Sequence, residues 1–275
     1  GEVPDFDPSP FLDPKEVRRT DRFVHYAMAS AALAWENAGE PEVVSDRAGV
    51  VFGTGIGGIG TLLQQHMVLL NKGAGRVSPF MVPALMANAA SGHIAMRFGF
   101  TGPNLSTVSA CSSSNHAIGE AMRYIREGYL DLCIAGGSEA ATLPLTVAAF
   151  AQMTALTRNP NPETASRPFD KARDGFVLSE GACSLVLESE ERARERGARI
   201  YCEVAGYGAS DDAFHITAPD PKGSGAALAM KWALRDANEE PNAVSYVNAH
   251  GTSTQLNDAA ETAAIKAVLG DEAAH

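Results

Sequence analysis

The run Leu105-Ser-Thr-Val-Ser-Ala-Cys111-Ser-Ser-Ser-Asn-His-Ala-Ile-Gly119 decides the fold, because it places a cysteine between two kinds of local structure. The residues before Cys111 predict a short strand, and the amphipathic run to Arg126 predicts a helix. Three serines are candidate N-caps of that helix: Ser112, Ser113 and Ser114. A cysteine at a helix N-terminus lies near unpaired N–H groups and a positive dipole end, which stabilise a thiolate. Cys111 is therefore a candidate nucleophile, with a buried structural thiol as the alternative.

A second predicted strand end lies in Ser245-Tyr-Val-Asn-Ala-His250-Gly-Thr-Ser-Thr254. His250 follows the predicted strand, where α/β folds place catalytic groups. Gly251 lets a ligand or another backbone segment approach closely. A cysteine and a histidine far apart in sequence, each at a strand end, suggest a thiol nucleophile with an imidazole partner. The alternative is a structural histidine.

Composition and charge exclude several classes of function. The chain has 275 residues, 45% hydrophobic, with a formal net charge of −11. That charge disfavours nucleic acid as a partner. No apolar run approaches the length of a membrane span and no signal segment opens the sequence, so we expect a cytoplasmic protein without a membrane span. The scattered histidines predict no metal site, and three cysteines are predicted to be reduced core thiols: Cys133, Cys183 and Cys202.

Hydrophobic periodicity predicts strands that alternate with helices, which is typical of the α/β class. Residues 1–14 are rich in Pro and Asp and predict an extended surface segment. Strands are predicted at 49–53, 130–135, 183–188 and 199–207. Helices are predicted at 23–37, 84–98, 188–197, 222–238 and 257–269.

A glycine-rich turn, Gly53-Thr-Gly55-Ile-Gly57-Gly58-Ile-Gly60, follows a predicted strand and precedes a predicted helix. This arrangement invites comparison with dinucleotide-binding loops. Such a loop needs an acidic residue about 20 positions on, within a strand, and residues 71–80 supply neither. The turn is better interpreted as part of an apolar pocket to which Ile56 contributes.

The sequence resembles the elongating β-ketoacyl-acyl carrier protein synthases, condensing enzymes of the thiolase-fold superfamily, from its first residues to about Gly270. The motifs that carry the resemblance, in order, are Ser109-Ala-Cys111-Ser-Ser, Ala135-Gly-Gly-Ser-Glu139, Arg167-Pro-Phe-Asp170 with Arg173-Asp-Gly-Phe-Val177, Asp212-Ala-Phe-His215 and Asn248-Ala-His250-Gly-Thr-Ser-Thr254. The resemblance implies a thiolase-like layered α/β/α/β/α fold, present here incompletely. Residues 1–198 would be the N-terminal half without its opening strand, and 199–275 the start of the C-terminal half.

The resemblance also implies a reaction, fatty-acid chain elongation by decarboxylative Claisen condensation. An acyl group moves from acyl carrier protein to Cys111, and malonyl-acyl carrier protein then loses CO2 and attacks it. His250 would donate to the malonyl thioester oxygen as the enolate forms. No cofactor is implied, because the phosphopantetheine arm of acyl carrier protein carries both substrates.

Further roles follow from the resemblance, residue by residue. Thr252 and Thr254 would bind the pantetheine arm; turn hydrogen bonding is the alternative. Ile56, from the partner subunit of a homodimer, and Phe150 would line the acyl pocket. Two carboxylates would organise the site, although acidic residues are also favoured in the first turn of a helix: Asp258 and Glu261.

A basic cluster is expected to bind the acidic carrier protein. Lys15, Arg18 and Arg19 match docking positions of the family, and Arg22 extends their helical i, i+3, i+4, i+7 spacing. The alternative is a solvated helix face.

The sequence departs from the family at both ends. It carries neither the opening strand, nor the segment with the second catalytic histidine, nor the Gly-Phe-Gly-Gly gating loop. His275 lies in a charged tail and cannot replace that histidine. We therefore expect a piece of a longer synthase, in which strands 49–53 and 245–249 would have unpaired edges. The alternative is an inactive fragment that binds carrier protein.

A polyketide ketosynthase domain is a second alternative. Cys111-Ser-Ser-Ser is typical of those domains, whereas the segment from Asn248 to Thr254 is more similar to the fatty-acid enzymes. Chain-length-setting partners in the family lack the cysteine, so Cys111 argues against a role of that kind.

Overall fold

The computed structural model describes residues 1–270, so His275 and the end of the predicted 199–275 domain lie outside the described residues. Strands and helices alternate along the chain, as expected for the α/β class. The strands are β1 (Ala48–Gly53), β2 (Asn104–Leu105), β3 (Leu132–Glu139) and β4 (Gly181–Glu188). The α-helices are α1 (Pro14–Arg19), α2 (Arg22–Asn37), α3 (Ile59–Lys72), α4 (Met81–Leu85), α5 (Ala89–Phe98), α6 (Ser113–Arg126), α7 (Pro144–Gln152), α8 (Pro162–Ala165), α9 (Glu190–Glu195), α10 (Ser224–Ala237) and α11 (Gln255–Leu269).

The four strands form one mixed sheet in the order β2-β1-β3-β4. β1 runs parallel to β2 and β3, and β4 pairs antiparallel with β3. Strand side chains alternate between the two faces. Val50 and Phe52 of β1 therefore join the core that includes α2 and α5, while Val51 joins the core that includes α6. β1 buries all six of its residues, and each large aliphatic side chain so buried contributes roughly 1.5–3 kcal/mol.

The sheet thus carries helices on both faces. On one face α2 contributes Phe23, Val24, Ala27 and Met28, all buried. Asp21 begins this helix by accepting a hydrogen bond from the Phe23 N–H (3.3 Å). On the other face α6 contributes small buried residues that allow close approach to the strands, Ala117 and Ala121.

Contacts divide the chain into two compact units. The first unit comprises Gly1–Leu143 and Ser179–Glu203, and it contains the whole sheet. The second unit comprises Pro144–Leu178 and the chain from Val204 onward. This partition differs from a single boundary at 198, because the segment before β4 packs with the later part of the chain.

Several predicted elements differ in the structure. The predicted helix 84–98 is two helices, α4 and α5, because Met86 is extended (φ −59°, ψ 135°). The strand before Cys111 is only the two residues of β2. Residues 199–207 and 245–249 are not strands, and among residues 1–270 only one named sheet forms. A strand needs a neighbour for its N–H and C=O groups, which periodicity alone does not supply.

The expectation of unpaired edges was wrong for 49–53, which lies inside the sheet between β2 and β3. The outer strand beside β3 is β4, where Leu185 is 40% exposed. Cys133 is buried as predicted, but Cys183 in β4 and Cys202 are exposed, so these two are not core thiols. The reason is that Cys183 lies on an edge strand and Cys202 in a segment without a strand partner.

Within residues 1–270, no helix is both long and apolar enough to span a membrane. The same residues hold no group of three or more His, Cys, Asp or Glu side chains arranged to bind a metal ion.

Candidate functional site

Cys111 lies in a short 3-10 turn, Ala110–Ser112, directly before α6, and it is exposed. The turn is strained, because Ala110 has a φ of +52°. A left-handed non-glycine residue costs roughly 1–3 kcal/mol and persists only where surrounding contacts hold it. The position of Cys111 at a helix start agrees with the sequence prediction. The thiol is presented to solvent rather than packed into the core.

Hydroxyl groups hold this turn. Ser113 Oγ, on a buried side chain, accepts from the Ser109 N–H (2.9 Å) and lies within donor distance of the Ala110 carbonyl (2.7 Å). Ser112 Oγ donates to the Ser109 carbonyl (2.7 Å). Ser109 Oγ bonds His116 Nδ1 (2.7 Å). Of the three candidate N-cap serines, Ser112 is the N-cap residue of α6, but its side chain makes no cap hydrogen bond.

Two glycines at the ends of β1 and β3, Gly53 and Gly137, let the start of α6 lie directly against the strands. A Cβ at Gly53 would come within 2.6 Å of the Ser113 carbonyl group. A Cβ on Gly137 would overlap the Ser114 side chain. Side chains at these two positions would push the helix start away. The glycines thus place Cys111 beside the carboxyl ends of parallel strands, where α/β sheets bind ligands.

Glu139, at the end of β3, organises the glycine turn, a role that was not predicted from the sequence. Its Oε2 accepts from the N–H groups of Gly55 (2.7 Å) and Ile56 (3.1 Å), and its Oε1 from Thr54 Oγ1 (3.3 Å). Burial raises the pKa of this carboxyl, and the three hydrogen bonds oppose that rise. The available signal was an acidic residue directly after a buried strand.

Ile56 is 40% exposed at the tip of this turn. The turn thus presents an apolar side chain at the surface, and the contribution of Ile56 to an acyl pocket stays a prediction. No dinucleotide-binding role is needed, because the glycines have local packing reasons. A Cβ on Gly58 would overlap the Ala84 carbonyl of α4.

His250 lies in the second unit, in a turn that precedes α11. Glu261 of α11 accepts from two successive backbone N–H groups, those of His250 (2.6 Å) and Gly251 (2.8 Å). Gly251 has a φ of +52°. The carboxylate therefore fixes the backbone at His250, while the His250 residue is exposed.

Asp258 is the most buried charged residue near this turn, at 1% exposure. Its Oδ2 accepts from the Phe169 N–H (2.7 Å) and lies 3.3 Å from Arg173 Nε. Arg173 also donates to the carbonyls of Thr254 (3.0 Å) and Gln255 (3.1 Å). Two motifs distant in sequence, 167–177 and 248–254, are thereby joined in one unit.

Ser253 adds a second link between these motifs. It is fully buried and has a φ of +64°. Its Oγ accepts from the Arg167 N–H (3.1 Å), and its carbonyl from the Gly175 N–H (2.8 Å). No site role was predicted for Ser253, Arg167 or Arg173, although the motifs that contain them carry the family resemblance.

The remaining candidates for substrate binding in the second unit are two threonines of the His250 turn and Phe150 of α7. Thr252 Oγ1 and Thr254 Oγ1 are 2.8 Å apart, and Thr254 caps α11 through the Asn257 N–H (3.3 Å). Phe150 of α7 packs edge-on against Phe176, with ring centroids 5.4 Å apart. Turn hydrogen bonding therefore accounts for part of what the threonines do, and a role in substrate binding stays a prediction for all three candidates.

The basic cluster on α1 contains three residues, one fewer than the helical spacing predicted. Lys15, Arg18 and Arg19 lie on α1 and are exposed, and the Arg19 guanidinium lies over the Phe80 ring (4.4 Å). Arg22 does not belong to this helix, because Asp21 begins α2. Arg22 instead bonds Glu180 (3.3 Å), Tyr26 and the Val3 carbonyl.

Two domain families match successive parts of the chain. The β-ketoacyl synthase N-terminal domain matches residues 1–193, and the β-ketoacyl synthase C-terminal domain matches residues 201–275. The chain belongs to the β-ketoacyl synthase family. The prediction made from the five motifs is confirmed.

Relatives in this family include proteins named 3-oxoacyl-[acyl-carrier-protein] synthase 2. The protein from Synechocystis sp. is 51% identical over 99% of this chain, and that from Coxiella burnetii is 48% identical over 99%. The chain spans 66% of the length of each of these two relatives. The chain therefore corresponds to about two thirds of the length of such a synthase.

Solved structures confirm the thiolase-like ketosynthase fold class. A β-ketoacyl synthase from Burkholderia phymatum is 36% identical, with a TM-score of 0.90, over 98% of this chain and 66% of that chain. A type II polyketide ketosynthase, solved in complex with its acyl-carrier protein, is 33% identical with a TM-score of 0.88. That match covers 92% of this chain and 64% of the other.

Proposed function

We propose that this chain is part of an elongating β-ketoacyl-acyl carrier protein synthase that carries out decarboxylative Claisen condensation in fatty-acid synthesis. The observation that carries the proposal is the exposed Cys111 in a strained turn at the start of α6. Backbone strain at Ala110, directly beside an exposed residue that can act as a nucleophile, is typical of functional sites. The names and identity of the relatives support the same reaction.

In the first half-reaction, the Cys111 sulfur attacks the thioester carbonyl of an acyl carrier protein. A new thioester forms on Cys111, the old C–S bond breaks, and the released pantetheine sulfur takes a proton. The position at the start of α6 favours the thiolate that this step needs, because the helix dipole stabilises negative charge there. The hydroxyl network around Ser109 and Ser113 would hold the sulfur in place during attack.

In the second half-reaction, malonyl-acyl carrier protein loses CO2. The electrons of the broken C–C bond move into an enolate, which attacks the acyl carbonyl and expels the Cys111 thiolate. His250 would donate a hydrogen bond to the enolate oxygen, the kind of interaction that supplies the largest single catalytic term. Glu261 supports this role by fixing the His250 backbone, and the proposed sequence of steps uses no cofactor.

Acyl carrier protein is the proposed macromolecular partner. The three exposed basic residues of α1 support this, because they lie together on a chain of net charge −11: Lys15, Arg18 and Arg19. The pantetheine arm would then contact Thr252 and Thr254, and the acyl chain would contact Phe150. A cytoplasmic location stays a prediction.

A homodimer is also proposed, supported by α3. This helix buries none of its residues, and its exposed side chains include two leucines, Leu69 at 44% exposure and Leu70 at 66%. Apolar surface of this kind marks protein interfaces. A Leu70→Glu variant should sediment as a monomer where the wild type sediments as a dimer. Leu33→Glu, at a 56% exposed position on α2, is the matched control that should not change the sedimentation.

The proposed reaction is tested with the full-length protein and hexanoyl-acyl carrier protein. We expect a hexanoyl thioester on the Cys111 peptide by mass spectrometry, and a 3-oxoacyl product after malonyl-acyl carrier protein is added. Cys111→Ala should abolish both. Cys183→Ala removes another exposed thiol and should change neither. An acylated Cys111→Ala protein, or a wild type that forms no 3-oxoacyl product, would contradict the proposal.

A polyketide ketosynthase is the second candidate, favoured by structural similarity to a type II polyketide ketosynthase at 33% identity. The relatives named 3-oxoacyl-acyl carrier protein synthases are closer, at 46–51% identity. The same assay separates the two functions. A product that grows by several unreduced malonyl-derived units on one carrier would favour the polyketide role, whereas a single extension favours fatty-acid elongation.

A further inference from the structure

Two turns of the first unit share one hydrogen-bonded residue, Thr54. Its side chain is 3% exposed, so its polar groups are bonded within the protein. Thr54 Oγ1 donates to Glu139 and accepts from the Gly57 N–H (3.1 Å). Its carbonyl lies within donor distance of Ser113 Oγ (3.1 Å). Thr54 therefore contacts both the Ile56 turn and the Cys111 turn.

Ser113 continues this connection to the nucleophile. Its hydroxyl accepts from the Ser109 N–H, two residues before Cys111. Thr107 adds a parallel link: its carbonyl accepts from the Thr54 N–H (3.2 Å) and its hydroxyl donates to the Ser113 carbonyl (2.7 Å). A change in the position of Thr54 would thus be transmitted to the backbone on both sides of Ala110.

Glu139 is the anchor of the connection. Its carboxylate accepts from three donors on three consecutive residues, Thr54, Gly55 and Ile56. It lies at the end of β3, a strand paired on both sides, so it is a rigid point. The turn itself has glycines at 53, 55, 57 and 58 and has little stiffness of its own. Without the carboxylate, the N–H groups of Gly55 and Ile56 lose their acceptor.

We propose that Glu139 is a positioning residue that couples two turns of its chain. One is the Ile56 turn, which would complete the acyl pocket of the partner subunit, and the other is the turn of the proposed nucleophile Cys111. It fixes the Ile56 turn directly, and it fixes the strained Cys111 turn through Thr54 and Ser113. The chain-length part of this inference rests on the proposed function, because only an acyl substrate gives Ile56 a pocket to limit. The coupling to Cys111 does not rest on it.

Glutamine is the informative substitution at this position. Its carbonyl oxygen can accept from Gly55 and Ile56, and its NH2 group can donate to Thr54 Oγ1. Glu139→Gln therefore keeps the contacts and removes the charge, whereas Glu139→Ala removes the contacts. Glu180 provides a matched control. Its carboxylate, on a 7% exposed side chain, likewise accepts three bonds, from Val3, Arg22 and Tyr26, in the same unit.

The first measurement is the rate at which iodoacetamide alkylates Cys111 in the full-length protein, followed by peptide mass spectrometry with Cys183 as internal reference. Glu139→Ala should slow alkylation roughly tenfold, since small displacements of a reacting group have effects of that order or larger. Glu139→Gln and Glu180→Ala should react near the wild-type rate. This measurement requires no substrate.

The second measurement is the set of acyl chain lengths transferred to Cys111 from a mixture of acyl-carrier-protein thioesters. Glu139→Ala should broaden the set, and Glu139→Gln should keep it. A wild type that accepts no thioester refutes the proposed function and the chain-length part, and the alkylation rates still decide the coupling.

A Glu139→Ala protein with wild-type alkylation and wild-type chain lengths would overturn the inference. So would an equal loss in Glu180→Ala, or a Gln variant as impaired as the Ala variant. If Glu139→Ala does not fold, Gly55→Ala replaces it, because the new Cβ would lie 2.8 Å from Glu139 Oε2. Gly92→Ala, with no atom within 4 Å of the new Cβ, is its control. Equal alkylation rates in these two variants would also overturn the coupling.

Discussion

The Cys111 turn and the His250 turn are built alike but held by different chemistry. Each precedes a helix, α6 or α11, and each contains a residue with a φ of +52°, Ala110 or Gly251. Neutral hydroxyls and close glycine contacts hold the Cys111 turn. Carboxylates and a guanidinium hold the His250 turn. The proposed nucleophile therefore lies in a turn whose direct contacts are neutral, whereas the proposed donor His250 lies in a turn whose backbone is bonded to charged side chains.

The largest expected effect separates the two turns by chemistry. His250→Ala in the full-length protein should still accept an acyl group on Cys111. It should release CO2 from malonyl-acyl carrier protein about 10²–10³-fold more slowly, since loss of one oxyanion donor has that cost. Radiolabelled CO2 release and the mass of the Cys111 peptide measure the two steps. Normal CO2 release in the variant would remove His250 from this role.

The next effect separates the turns by stability. Asp258→Ala should lower the free energy of unfolding by about 3 kcal/mol, because it leaves Arg173, only 14% exposed, without its carboxylate. Ser113→Ala removes one buried hydroxyl and should cost about 1 kcal/mol. Denaturant unfolding gives both values. Hydrogen exchange should localise the first change to residues around 250–258 and the second to residues around 109–116. Equal costs would show that charge is not what distinguishes the turns.

A third effect concerns a surface outside both turns. Replacing Arg18 and Arg19 together by Glu should raise the KM for acyl-carrier protein about tenfold at low salt, because opposite charges steer association. Turnover of a small pantetheine thioester should not change. Steady-state kinetics at two salt concentrations checks this, since added salt should shrink the difference. An unchanged KM would mean that the α1 cluster is only a solvated helix face.

The smallest effect is expected for Glu139→Gln, which replaces the carboxyl group by a neutral amide. The pKa of Glu139 is raised by burial, so this group stabilises the folded state most below its ordinary pKa of 4.5. That contribution is lost as the pH rises through the folded-state value. The unfolding free energy of Glu139→Gln should therefore increase, relative to wild type, as the pH rises above 4.5. Denaturant titrations at several pH values measure the difference. A difference that is independent of pH would contradict the raised pKa.

Most regular elements of the first unit were predictable from local pattern. The helix predicted at 23–37 is α2, and the strand predicted at 49–53 is β1, each within one residue. The strand predicted at 183–188 lies within β4. These elements have a strong hydrophobic periodicity, and each has a neighbouring strand or helix to pair or pack with. The segments at 199–207 and 245–249 failed because a strand depends on a neighbour that its own residues do not specify.

The candidate site shows the same limit. Cys111 and His250 could be proposed as site residues from residue type and position, because few side chains can act as a nucleophile or an imidazole donor. Glu139 and Ser113 were not assigned, since their roles depend on which backbone groups lie within 3 Å. Arg22 was grouped with Arg18 and Arg19 by helical spacing, yet the break at Asp21 directs it to Glu180.

The sequence by itself determined the α/β class and the family, and it supplied the two candidate reactive residues, since these follow from periodicity and from ordered motifs. Tertiary structure alone decided that Cys183 and Cys202 are exposed, and that β1 is an interior strand. It alone decided that Glu139 and Glu261 each bind successive backbone N–H groups. Burial and hydrogen bonding are properties of pairs of residues brought together by the fold, and no local pattern contains the second member of each pair.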